Sequence, residues 1–106
     1  MKAVQIMPIS MRRELKQLGE GISIARRRRR ISQALMLERT GLAKSTYQRV
    51  EKGDGSVAIA AYAMSLFALG LSNRLGRLAD PAGDEVAFLL DAERLPKRVA
   101  RAGGGR

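Results

Sequence analysis

The sequence has no cysteine, no histidine and no tryptophan, and its only aromatic residues are Tyr47, Tyr62, Phe67 and Phe88. Without cysteine there is no disulfide framework and no thiolate site. Without histidine the commonest general base and metal ligand is missing. An enzyme is therefore not expected, and neither is a metal or another cofactor. Long apolar runs are absent too: the best candidate, residues 57–71, is interrupted by Tyr62, Ser65 and Gly70, short of the ~18 residues expected of a membrane span. No secretory signal is expected, because the opening MKAVQIMPIS leads into Arg12-Arg13 rather than a small-residue cleavage site. The expected location is the cytoplasm, associated with the nucleoid.

What the chain has in excess is positive charge. Lysine and arginine total 20 against 10 acidic residues, a net charge of +10 and a pI near 11.3. The excess is uneven: residues 1–53 carry 13 basic and 4 acidic side chains, whereas residues 54–106 carry 7 and 6. A polyanion is the natural partner for such a half. The 106 residues suffice for one domain, and the 45% hydrophobic fraction, much of it alanine, leucine and isoleucine, favours a small all-α bundle.

Along the chain, residues 1–10 lack a helical period and contain Pro8, so they read as a flexible arm. Met11, Leu15, Leu18, Ile22 and Ala25 then recur as one helix face would, predicting a helix over 11–29. Gly19 and Gly21 each cost it about 1 kcal/mol of propensity. Further helices are expected over 33–39 and 44–51, then over 57–69 with Ser56 as its cap, and over 73–79 with Ser72 as its cap. The 57–69 helix is apolar nearly all round and is expected at the centre of the bundle. Beyond Pro81 the spacing of Val86, Phe88, Leu89 and Leu90 fits a short helix from Asp84 or an extended strand; the helix is the reading adopted. Residues 95–99 are expected to end the compact part, and 100–106 to form a disordered tail.

Residues 31–53, ISQALMLERTGLAKSTYQRVEKG, are the most informative segment. Ser32 can cap a helix whose buried face is Ala34, Leu35 and Leu37, and Gly41 permits the positive φ of a tight turn. After the turn Leu42, Thr46 and Val50 fall on one stripe with Tyr47 beside it. Lys44, Ser45, Gln48 and Arg49 are left facing away, and Gly53 follows as a C-terminal cap.

This order of residue types points to a DNA groove. Lys44, Ser45 and Arg49 are the best candidates to reach base edges, with Gln48 on the flank; an arginine forked onto guanine O6 and N7 gives about 1 to 3 kcal/mol of discrimination. Phosphate contacts are expected from Ser32 and Gln33 at a helix N-terminus, from Thr46, from Arg26, Arg27 and Arg30 in the arginine run, and from Lys52. Five consecutive arginines go all the way round a helix, so only some of residues 26–30 can face one surface. Glu51 is expected to pair with Arg49 or Lys52, and Glu38 with Arg39 or the arginine run. Tyr47 is assigned to the core.

The combination Ile31-Ser32-Gln33, Thr40-Gly41-Leu42 and Ser45 through Gly53 resembles the Xre/Cro/C1-type helix-turn-helix family over about residues 15–79. The resemblance implies a five-helix, phage-repressor-like domain that binds double-stranded operator DNA, usually as a homodimer with recognition helices ~34 Å apart. It places Gln33 at the family's phosphate-binding glutamine and Lys44, Ser45 and Arg49 at base-reading positions. Two positions depart from the pattern: Ala43, where a serine or threonine cap is common, and Arg30, where glycine is common. The segment from Leu75 through Asp80-Pro81 to Glu93-Arg94-Leu95-Pro96-Lys97-Arg98-Val99 is similar to HipB-like antitoxins, which are paired with HipA-family kinase toxins. That implies a transcriptional autorepressor that also binds its toxin. Leu75, Leu78, Val86, Phe88 and Leu89 are the candidates for the dimer or partner interface, although Phe88 and Leu89 could equally close the chain's own core. A free-standing phage or chromosomal regulator, a protein-interaction adaptor and a basic RNA-binding module remain alternative readings.

Overall fold

The computed structural model of the chain describes residues 6–94, and the ordered elements among them are all helical, without a strand. Expectations for the first half of the N-terminal arm, for residues 95–99 and for the tail fall outside the described residues. Two compact units emerge, Met1–Leu75 and Gly76–Arg106. The first contains α1 (Ile9–Arg28), α2 (Gln33–Thr40), α3 (Lys44–Glu51) and α4 (Ile59–Ala68). The second contains a 3-10 turn, Pro81–Gly83, and α5 (Glu85–Glu93).

Pro8 starts α1 rather than holding the chain off it. It occupies the N-cap position with extended backbone, where a missing N–H costs nothing. The helix therefore takes in Ile9 and Ser10, which the sequence had assigned to the arm. Gly19 also has a packing role that propensity alone hides. It is buried where α1 meets the C-terminal end of α3, and a Cβ there would lie 2.6 Å from the Val50 carbonyl oxygen and 2.8 Å from that of Glu51. Gly53 faces it with φ 71°, and a Cβ there would meet the backbone of Leu15 and Lys16 more closely still. Two glycines let two backbones touch.

Three helices end in the same pair of backbone hydrogen bonds. After α3, Gly53 N–H donates to Val50 O at 2.9 Å and Asp54 N–H to Arg49 O at 3.0 Å. After α4, Gly70 and Leu71 donate to Phe67 O and Leu66 O. After α1, Arg30 donates to Arg27 O and Ile31 to Arg26 O, at 3.0 and 3.1 Å. This is the Schellman arrangement, whose C′ residue is left-handed. Glycine fills that position after α3 and α4, but after α1 it is Arg30, at φ 54°, with a Cβ strain of roughly 1 kcal/mol.

The core of the first unit gathers Ile22, Met36, Tyr47, Val50, Tyr62 and Leu66 from all four of its helices. α1 packs on α3, and α2 and α3 pack on α4. The α2 face differs from the one expected: Met36 and Thr40 are buried, Leu35 and Leu37 flank them, and Ala34 is exposed. Thr40 is satisfied locally, donating to Met36 O at 2.7 Å and accepting from Leu42 N–H at 3.2 Å. α4 is not the enclosed centre that its composition suggested. Ala61, Tyr62, Ser65 and Leu66 are buried, but Ile59, Met64 and Phe67 stay exposed because nothing else in the unit covers that side. It also starts later, with Ala58 rather than Ser56 at the N-cap and no side-chain cap. The expected α-helix over 73–79 is a 3-10 segment, Ser72–Arg77. In the second unit, α5 does form as a helix, with Asp84 capping the Ala87 N–H at 3.0 Å.

Candidate nucleic-acid interface

The sharp turn between α2 and α3 is built from backbone chemistry. Ser32 Oγ accepts from Leu35 N–H at 3.0 Å and fixes the start of α2. Gly41, left-handed at φ 74°, donates to Leu37 O at 2.9 Å and ends it. Two residues later α3 begins, with Ala43 at its N-cap and no side-chain cap.

α3 has two sides with different occupations. Lys44, Ser45, Gln48, Arg49 and Lys52 are all exposed, and their spacing of one, three, one and three puts them on a single outer face. Tyr47 and Val50 are fully buried on the inner face, and Thr46 is half-buried between the two. No ion pair among the described residues involves Lys44 or Lys52. The outer face is thus a row of donors and cations on a helix anchored from behind.

Glu51 is the anchor, and here the structure departs from the sequence reading. Its carboxylate pairs with neither Arg49 nor Lys52. It accepts instead from Arg26 Nε at 2.6 Å, from Tyr47 Oη at 2.5 Å and from Gln33 Nε2 at 3.3 Å, so one acid joins α1, α2 and α3. Arg26 also donates through Nη1 to Ile31 O at 2.9 Å. Its side chain is only 12% exposed. Arg26 is therefore removed from the phosphate-contacting set: its charge is committed to Glu51. Gln33 is half-buried with one amide hydrogen directed at Glu51; its nitrogen carries a second.

The electrostatics of this cluster follow from burial and pairing together. Burial pushes the Glu51 carboxyl up, but the hydrogen bonds from Arg26 and Tyr47 outweigh it and hold it below the ordinary value. The Arg26 guanidinium is raised, chiefly by its bond to Glu51. The Tyr47 hydroxyl is raised by burial and then by Glu51, so it stays a donor.

On the outer side Arg49 is held by a different acid. Its Nε donates to Asp54 Oδ2 at 2.9 Å and its Nη2 to Ser56 Oγ at 2.6 Å. Asp54 Oδ1 in turn accepts from Ser56 N–H at 2.8 Å and from Ser56 Oγ at 2.7 Å. The Ser56 hydroxyl and N–H, followed by Arg49, hold the Asp54 carboxyl down at about 2. Sequence reasoning treated Ser56 only as a helix cap and Asp54 only as part of the stop signal over residues 52–55. The Asp-x-Ser spacing, which makes a side-chain-closed turn, was the available signal.

The remaining phosphate candidates come from α1, the start of α2 and the end of α3. Arg27 and Arg30 are exposed, and Arg27 Nε donates to Ser23 Oγ at 3.3 Å. Ser32 is exposed as the α2 cap, and Lys52 is the exposed C-cap of α3. Of the interface candidates, Leu75 is reassigned: it is partly buried against the core of the first unit. Leu78, Val86, Phe88 and Leu89 are exposed in the second unit.

No helix among the described residues is long and apolar enough to cross a membrane. No group of three or more acidic side chains among the described residues is arranged to hold a metal ion. Comparison with known proteins finds no match: no family model, no curated protein and no solved structure.

Proposed function

We propose that this chain is a sequence-specific DNA-binding transcriptional repressor of the Xre/Cro/C1 type. The observation that carries this reading is the outer face of α3, where Lys44, Ser45, Gln48, Arg49 and Lys52 are exposed together on a short helix whose opposite side is locked by Tyr47, Val50 and Glu51. A helix anchored from behind with exposed donors in a row matches the major groove in width and chemistry. Lys44, Ser45 and Arg49 read bases in this proposal, with Gln48 on the flank. Arg27, Arg30, Ser32, Thr46 and Lys52, with the second amide hydrogen of Gln33, meet phosphates. The concentration of positive charge in residues 1–53 supports the same assignment.

The second unit supports a protein-binding role beside the DNA-binding one. Five acidic residues and no basic one fall between Asp80 and Glu93, and α5 leaves Val86, Phe88 and Leu89 uncovered. Such a surface is unsuited to a phosphate backbone and suited to an apolar protein face. We assign it to homodimerisation or to a HipA-like kinase toxin, which makes the chain the autoregulating antitoxin of a toxin-antitoxin operon. A free-standing regulator would use the same surface for the dimer alone.

Gel shifts of the full chain on the promoter of its own operon, across a salt series, test the first part. Specific retention should weaken with salt at about 0.9 logarithmic units per phosphate contact. Equal binding to promoter and random duplex would count against a repressor. Co-purification with the product of a neighbouring kinase-like reading frame, lost on Phe88→Asp, tests the second part.

A further inference from the structure

We propose that Asp54 and Ser56 form a positioning clamp that sets the sequence preference of Arg49 without themselves binding DNA. The inference rests on the proposal that α3 reads base edges, and it names what makes one of those readings selective.

A guanidinium has five N–H donors arranged along two usable edges, one side-on through Nε and Nη2, the other end-on through Nη1 and Nη2. In this protein the side-on edge is occupied at both atoms, by Asp54 Oδ2 at 2.9 Å and Ser56 Oγ at 2.6 Å. The end-on edge is left, and its two parallel N–H groups match the paired acceptors O6 and N7 of guanine. The Arg49 side chain is half exposed, so without the clamp it would sample many rotamers and offer either edge to any phosphate or base nearby. With the clamp, that rotamer entropy is already lost before DNA arrives.

The clamp is itself braced. Ser56 N–H and Oγ both donate to Asp54 Oδ1. The Asp54 backbone is fixed at both ends, its N–H to Arg49 O at 3.0 Å and its carbonyl accepting from the buried ring of Tyr62 through Oη at 2.7 Å. Asp54 thus cannot follow Arg49 if the arginine swings away. Because these backbone bonds survive replacement of the carboxylate, the side chain can be tested without dismantling the loop.

The test is selection of the full chain against a randomised duplex library, followed by binding to the enriched duplex and to copies changed at each base pair. In the unaltered chain one guanine position should lose its preference on Arg49→Ala. Asp54→Asn and Ser56→Ala should each lower the preference at that same position by about tenfold or more, leave preferences elsewhere unchanged, and keep the thermal midpoint close to that of the parent. Ser56→Thr, which keeps the hydroxyl, should retain the preference. A structural role alone would move the midpoint and all positions together, and that result overturns the clamp. So does an unchanged or sharpened guanine preference in Asp54→Asn, which would make Asp54 a competitor of DNA. If sequences are enriched but Arg49→Ala changes no position, the clamp and the role of Arg49 fall while DNA reading stands. If no sequence is enriched, the DNA-reading proposal fails and the clamp with it.

Discussion

Arg26 with Glu51 and Arg49 with Asp54 are the same chemical pair on the two sides of α3, closed at 2.6 and 2.9 Å. Their surroundings differ. The inner pair is 12% and 10% exposed, and its acid also accepts from a buried tyrosine hydroxyl; the outer pair is 50% and 32% exposed. Water screens the second and hardly reaches the first, so one distance yields two energies. The inner pair belongs to the fold, tying three helices at one carboxylate. The outer pair adds little to stability; under the proposed function its consequence is the geometry it imposes on Arg49.

The largest effect should come from removing the inner acid. Glu51→Ala leaves Arg26 without its partner at a mostly buried site and is expected to cost about 3 kcal/mol or more in urea unfolding. If it cost no more than Asp54→Ala, the two pairs would be equivalent and the contrast would fail. Gly53→Ala should be of similar size, because its Cβ would meet the Leu15–Lys16 backbone at a left-handed φ, an overpacking of about 3 kcal/mol.

Acid sharpens the same contrast. Both carboxyls lie below their ordinary values in the fold, 4.5 for Glu51 and 3.8 for Asp54. Each therefore contributes stability that is complete above that value and is lost as pH falls through the lowered one, about 2 for Asp54. Stability should decline from pH 4.5 downward; Glu51→Gln and Asp54→Asn should each flatten the decline, with Asp54→Asn removing the part that runs on toward pH 2. A decline unchanged in Asp54→Asn would remove the outer carboxylate from the acid linkage.

A smaller and opposite change is expected at the left-handed residue beside the inner pair. Arg30→Gly should stabilise by about 1 kcal/mol by relieving the Cβ strain at φ 54°. Smallest of all, Arg49→Ala should shift stability by under about 1 kcal/mol.

Much of the first unit could be read from residues 31–53, because capping and turn chemistry are local. Ser32, Gly41 and Gly53 do what their side chains, or lack of one, dictate at those positions. Spacing alone put Val50, with Tyr47 beside it, on the inner side of α3, although Leu42 and Thr46 on the same stripe are only half-buried. What spacing could not supply was the third dimension. Glu51 has basic neighbours in sequence, yet the approach of α1 through Gly19 and Gly53 brings it Arg26 from 25 positions away. Gly19 looked like a propensity defect because its reason lies in another helix. Ser56 resembled a cap because nothing in the sequence shows that its hydroxyl accepts from Arg49 while donating to Asp54. The open side of α4 was hidden by a composition that suits burial on every face.

The proposed division of α3 into an inner, structural side and an outer, reading side is tested most directly by one ratio: affinity for a selected duplex over affinity for random duplex, in the full chain and in Arg49→Ala. The ratio should fall by roughly 5- to 150-fold, the equivalent of about 1 to 3 kcal/mol, while the thermal midpoint stays near that of the parent. Equal loss on both duplexes, or a midpoint that collapses with the ratio, would contradict that division.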